Sequence, residues 1–271
     1  MTRRQLQTPF GDEPCDDVSL STAPLVRVLA QLRFDPLAIL DSPNAASLFA
    51  AEIGKDYPYL EKGAEFNILI APGQVSPQMG QNSVWRFRSP DRKTVVSLSN
   101  GSLALETSVY PGRTEFCSAL SSLAGALKKV AFVPAYTRIG YRYTNRVVDR
   151  EALNKLPSLV RSGILGVSGM PLGARAELQH SLAQASFTID ANRGLLAQWG
   201  EMPAGGTFDP SLPPHGDRSW ILDLDCFYQS SEVSSEPQEV GRCAELLSDS
   251  AYRFFRWAVT DEFLTHFGGK L

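Results

Sequence analysis

Three arginines at even spacing, Arg138, Arg142 and Arg146, and two aspartates two residues apart, Asp223 and Asp225, form the best polar constellation in the chain. Each set lies in a segment that reads as a β-strand, Tyr136 to Val148 and Trp220 to Gln229. Side chains alternate along a strand, so each set shares one face. If these strands pair, arginine forks meet carboxylates across the ladder. Such a face suits a ligand groove, with arginines for a carboxylate or phosphate and aspartates for a base or a cation. The plainer reading is cross-strand ion pairing on a solvated sheet face, which is the usual fate of charged strand faces. Arg33 joins the candidate binding set, because Leu32-Arg33-Phe34 shares its local pattern with Tyr141-Arg142-Tyr143. Asp223 and Asp225 could divide acid and base roles only in a cleft that drives their pKa values apart.

Other chemistries find little footing. His180, His215 and His266 show no spacing that places two ligands around one zinc, and no Cys-x-x-Cys occurs. No metal or other cofactor is therefore expected. The stretch Gly163-Ile164-Leu165-Gly166-Val167-Ser168-Gly169 matches neither a phosphate loop nor a dinucleotide fingerprint, and Met170 stands where a nucleophile elbow needs glycine. No catalytic residue is assigned. Trp85 and Phe87 alternate with Arg86 and Arg88, as a base-stacking platform would. A sheet packed under helices gives the same alternation and is the preferred reading.

The elements that must position these residues follow from hydrophobic period and turn chemistry. Leu25 to Phe34 reads as a strand with Val26, Val28, Ala30, Leu32 and Phe34 on one face and Arg27, Gln31 and Arg33 on the other. A helix is expected over Ala45 to Leu60, capped by Ser42 or Asn44. Strands follow over Phe66–Ala71, Val84–Arg88, Thr94–Ser99 and Ser102–Val109, with Pro72 to Ser83 read as a polar loop and Asn100-Gly101 as a positive-φ hairpin turn. A helix capped by Thr114 covers Glu115 to Val130.

The grammar then restarts at Tyr136: strand, a helix from Arg150 to about Ser162 capped by Asp149, strands over Ala174–Asp190, Gly194–Trp199 and Trp220–Gln229, and a long helix from Gln238 to Val259. Gly200 to Ser219 reads as a long Gly/Pro loop. The expected fold class is α+β: antiparallel sheets with helices on one face, and a two-fold internal pseudo-repeat of strand-helix-strands-helix. That order resembles TATA-binding-protein-like or helix-grip architecture. Residues 1–22 are read as a flexible tail, 23–134 as the first half and 135–271 as the second, within one continuous domain or two.

With 271 residues the chain can bury a sizeable core without staples, and its net charge of -3 argues against a life on nucleic-acid phosphates. No apolar run approaches the ~18 residues of a membrane span. The N-terminus has no export signal, so a cytoplasmic protein with free thiols at Cys15, Cys117, Cys226 and Cys243 is expected.

Three segments carry a resemblance: Pro24 to Phe34, Arg138 to Arg146, and the closing helix ending Trp257-Ala258-Val259-Thr260-Asp261. Together they resemble a sporadically distributed bacterial family of hypothetical proteins of about this length. The family has no assigned activity, so the resemblance brings no catalytic residues. Its patchy distribution is of the kind seen for accessory genes of defence or toxin–antitoxin modules. The expectation is a non-enzymatic binding protein whose partner is a protein encoded nearby, using the open sheet face or a long loop. The alternatives are a small anionic ligand held between sheet and C-terminal helix, and an enzyme using the strand carboxylates.

Overall fold

The computed structural model describes residues 6–71 and 74–270. It is an α+β structure with an antiparallel sheet of nine strands, in the order β2-β3-β4-β5-β1-β6-β9-β8-β7. The chain divides into two compact units, one of residues 27–141 and 227–247, the other of residues 1–26, 142–226 and 248–271. This interleaved division differs from the consecutive halves that the order of elements suggests.

The unit of residues 27–141 and 227–247 shows how alternation becomes a core. Its strands are β1 (Leu25–Arg33), β2 (Tyr59–Ala71), β3 (Gln74–Arg88), β4 (Thr94–Leu98) and β5 (Ser102–Thr107), with the first part of β6 (Ala135–Val147). Register aligns Phe87, Val96, Leu105 and Ala30 in one transverse row and Trp85, Leu98, Leu103 and Leu32 in the next. All eight are buried. Helix α1 (Pro43–Ile53) sets Phe49 edge-on against Phe87 at 5.3 Å. Helix α2 (Arg113–Val130) sets Phe116 against Tyr141 at 5.6 Å. Full burial of such side chains contributes roughly 1.5–3 kcal/mol each.

The other unit holds β7 (Ala183–Thr188), β8 (Arg193–Met202), the first part of β9 (Ser219–Ser234), and the end of α6 (Pro237–Ala258) followed by α7 (Asp261–His266). Residues 6–22, whose composition reads as a solvated tail, make specific contacts in this unit. Phe10 stacks against Phe187 at 5.5 Å and Phe254 at 6.1 Å. Arg253 donates to the carbonyls of Gly11 and Glu13, and Arg161 to that of Leu6, which is buried. Val18 donates its N–H to the Tyr252 hydroxyl at 2.8 Å.

Several expected boundaries move, each for a local reason. Helix α1 stops at Ile53, with Gly54 at its C-cap, and β2 already begins at Tyr59. The stretch expected to be a loop over 72–83 is β3 from Gln74 onward, drawn into strand by backbone pairing with β2 (Ala71↔Gln74 to Ala64↔Ser83). The helix expected over 150–162 breaks into α3 (Arg150–Asn154), α4 (Leu156–Leu159) and α5 (Ser162–Leu165), with Pro157 in the first turn of α4. The strand expected from Ala174 begins only at Ala183, so His180 lies outside it and is exposed. The hairpin at Asn100-Gly101 forms, yet neither residue has positive φ. The turn is closed instead by Ser99 and Ser102, through a backbone bond of 2.9 Å and a hydroxyl pair at 2.9 Å. The capping expectations at Ser42, Asp149 and Thr260 hold, each side chain accepting from the N–H three residues on.

Two predictions follow from these backbone and burial facts. Gly200 has φ 149°, and a Cβ there would stand 2.0 Å from the carbonyl oxygen of Ser181, two residues before β7. Gly200→Ala should lower urea-unfolding stability by about 1–3 kcal/mol, the range for strained backbone, while Gly163→Ala, which meets nothing within 4 Å, should be near neutral. Burial pushes the Cys117 thiol up from 9.0 to about 12, with Glu245 adding to the rise, and pushes Tyr136 and Tyr252 up from 10.0 to about 12. The unfolded chain releases these protons first. Their contribution to stability is therefore complete below pH about 9 and is lost as pH climbs towards about 12. Urea midpoints measured across that window should fall, and Tyr136→Phe should flatten part of the slope.

Candidate functional site

Arg142 is at the centre of the strongest polar cluster, and every residue in that cluster belongs to one unit. Strand β6 places Arg142 and Thr144 two residues apart on one face. Strand β9 supplies Asp223. The Arg142 Nε lies 2.9 Å from both carboxylate oxygens of Asp223, and the Thr144 hydroxyl donates to Oδ1 at 2.7 Å. A second carboxylate arrives from the long loop before β9: Asp209 Oδ2 stands 3.0 Å from Arg142 Nη1. The side chain of Arg142 is 20% exposed, and those of Asp209 and Asp223 are 3% exposed.

The loop is shaped to deliver Asp209. Its Oδ1 accepts from the backbone N–H and the hydroxyl of Ser211, at 2.9 and 2.6 Å. The Thr207 hydroxyl donates to the Asp209 carbonyl at 2.7 Å, and Leu212 closes the turn on the same oxygen at 2.9 Å. This is the local side-chain-to-backbone chemistry that favours Asp, Ser and Thr in turns. Arg146, also on β6, donates to the Pro213 carbonyl at 2.9 Å. Two arginines of the sequence-derived row therefore grip the loop that follows β8.

Electrostatics sets the state of the cluster. Burial opposes the charge on Arg142, but Asp223, with Asp209 and Asp225, outweighs it and holds the guanidinium pKa above its usual value. Burial pushes Asp223 above the ordinary carboxylate range, while Arg142 and Thr144 pull it back. The donor contacts converging on Asp223 support the ionised pair. Chemically this is a clamp, with one cation neutralised by two carboxylates and the carboxylates oriented by hydroxyl and amide donors.

The expected cross-strand meeting of arginine and aspartate thus occurs, through Arg142 and Asp223. It is not on a solvated face, because Asp209 and Pro213 of the loop cover it. Arg138 lies over the Phe227 ring at 4.9 Å, in the other unit. Asp225 is half-buried beside the clamp and acts on it through charge. Arg33 is exposed in the other unit, with its Nε on the Gln31 amide oxygen at 2.9 Å. Sequence reasoning missed Asp209 and Thr144. The signal for the first was Thr207-Phe208-Asp209-Pro210-Ser211, a turn-forming run; for the second, its place two residues beyond Arg142.

The remaining candidates have structural settings. Trp85, Phe87 and Trp220 are buried. Cys117 and Cys226 are buried thiols, and Cys15 and Cys243 are half-buried ones. His215 accepts the Asp217 N–H at 3.1 Å, and His266 lies 3.3 Å from Asp149. Among the described residues no group of three or more His, Cys, Asp or Glu is placed to hold a metal ion. Among them, too, no helix is long and apolar enough to cross a membrane.

The fold and this site define an α+β protein whose antiparallel sheet carries a buried arginine–dicarboxylate clamp. No protein-family model matches the chain, and no curated protein matches it.

The clamp makes its own prediction. Arg142→Met leaves Asp209 and Asp223 buried without their cation and should cost about 3–5 kcal/mol in urea unfolding, the usual penalty for breaking a buried pair from one side. Lys155→Met removes an exposed pair with Glu151 and should change stability by less than about 1 kcal/mol.

Proposed function

We propose that this is a non-enzymatic binding protein that recognises a macromolecular partner, a protein, through the uncovered face of the sheet formed by β2, β3, β4, β5 and β1. The observation that carries the reading is the contrast between the two faces of these strands. One face is buried across β3, β4, β5 and β1, where Phe87 meets Phe49 of α1. The other sets Glu61, Arg86, Ser97, Ala104 and Gln31 in one transverse row and Tyr59, Arg88, Val95, Glu106 and Leu29 in the next, with Arg33 beyond them. All of these are half-buried or exposed.

The chemistry of that face suits a protein surface. Arginine and tyrosine, interleaved with small and aliphatic residues, are enriched where proteins meet. Positive and negative groups alternate across it, as in the Arg88–Glu61 pair at 2.9 Å, so it has no single-sign field to draw a polyanion. Arg142 and Arg146 of β6 are occupied in holding their own loop, which moves weight from the second strand set to the first. The resemblance to a patchily distributed bacterial family supports a partner encoded nearby, in a defence or toxin–antitoxin type module.

The test is capture from the native host's lysate with the tagged chain, compared with Arg33→Glu and Lys155→Glu. A single stoichiometric protein should co-purify with the unaltered chain and with Lys155→Glu, and Arg33→Glu should reduce its recovery at least about tenfold. Equal recovery with all three, or none with any, overturns the reading.

A further inference from the structure

The sheet ends at β7, whose ladder is with β8. End strands in natural proteins are normally guarded by charge, proline, a bulge or a covering element, because their free N–H and C=O groups template the pairing of another chain. The run Leu182-Ala183-Gln184-Ala185-Ser186-Phe187-Thr188-Ile189 has no charged residue, proline or glycine. Its pairing with β8, Ala183↔Trp199 to Thr188↔Gly194, has no register shift. The strand at the other end, β2, carries Glu61 and Lys62 and shifts register between Ala64 and Phe66.

The phase of the hydrogen bonds shows which groups point outward. Ser181 donates to the Glu201 carbonyl at 3.0 Å, and Ile189 to that of Arg193 at 2.9 Å. In an antiparallel ladder the bonding direction alternates residue by residue. Odd residues thus face β8, and the backbone groups of Leu182, Gln184, Ser186 and Thr188 face away from it. The side chains of these four are exposed.

We infer that β7 is a self-association edge, and that its occupant is β7 of a second copy of this chain, paired antiparallel about a two-fold axis. Three features favour the second copy. The edge is uncharged, so an identical edge meets no repulsion. A two-fold axis normal to the sheet keeps each side chain on its own face and brings residues of equal parity together. With Ser186 on the axis, Gln184 faces Thr188 and Ala185 faces Phe187, a small residue against a large one. Finally, strand pairing alone runs only about 20 Å, at ~3.4 Å per residue, too narrow a strip to bury the roughly 800 Å² per partner that a stable interface needs. The segment leading into β7 supplies what is missing, with Val167, Met170, Leu172 and Leu182 all exposed. Each copy contributes the same β7 edge about the two-fold axis, so association through that edge closes at two.

The test is sedimentation velocity across about 1–100 µM, the range in which a micromolar dimer dissociates. The unaltered chain should shift from 29.7 kDa to twice that mass as concentration rises. Ser186→Pro removes an outward N–H without touching the β8 ladder. Ser186→Lys puts like charges face to face at the axis. Each should weaken association at least about tenfold, with far-UV circular dichroism unchanged for Ser186→Lys. A chain that stays monomeric throughout, or a dimer that Ser186→Lys leaves intact, overturns the inference. Neither result bears on the sheet-face reading, whose residues are elsewhere.

Discussion

A guanidinium cannot be left alone in a protein interior, and much of the unit around Arg142 is organised by that constraint. The desolvation cost of burying a charge is several kcal/mol, so the charge must be matched with good geometry on more than one side. Asp223 meets it from the neighbouring strand and Asp209 from a loop. Each carboxylate is in turn oriented by a hydroxyl, Thr144 for one and Ser211 for the other. The consequence reaches beyond the pair. A Gly/Pro-rich loop, which by composition should wander, is tied to the sheet at Asp209 and at Pro213.

Arginine plays a second part at the N-terminal segment, from Arg253 on α6 and Arg161 at the N-cap of α5. Arg253 and Arg161 point at main-chain carbonyls of the N-terminal segment, not at carboxylates. Main-chain acceptors are present in any segment, so an acidic, proline-bearing stretch can be held without a regular element of its own. The apolar partner in the same contact is Phe10, packed against both Phe187 and Phe254, which also touch each other. A polar grip and an aromatic wedge together replace what a strand would gain from a ladder. Phe187 thereby ties the inner face of β7 to the helix while the outer edge of that strand stays available.

Covered and uncovered faces then divide the labour. Under α1 and α2, two transverse rows of large apolar residues make a rigid platform. The opposite face of the same strands carries arginine, glutamate, glutamine and small residues at half exposure. Surface that is rigid, chemically mixed and broad can meet another folded protein with little loss of side-chain freedom. The β6 arginines, the more conspicuous in the sequence, are committed to internal bonds.

The alternation of apolar and polar residues was sufficient to establish the α+β class, the strands β1, β4, β5, β6, β8 and β9, and the helices α1, α2 and α6, because side-chain period is a local property of the chain. Caps at Ser42, Asp149 and Thr260 were legible for the same reason, since each bond spans three residues. So was the pairing of an Arg142 face with an Asp223 face. What the sequence could not establish is where partners distant along the chain come to lie. Residues 74–83 look like a loop until β2 offers them a ladder, and residues 174–182 look like a strand although β7 begins only at Ala183. Asp209 is unremarkable until its turn brings it to Arg142, 67 residues away in sequence. Whether a charged strand face is a groove, a solvated surface or a buried clamp is decided by what folds over it, and only the tertiary structure makes that choice.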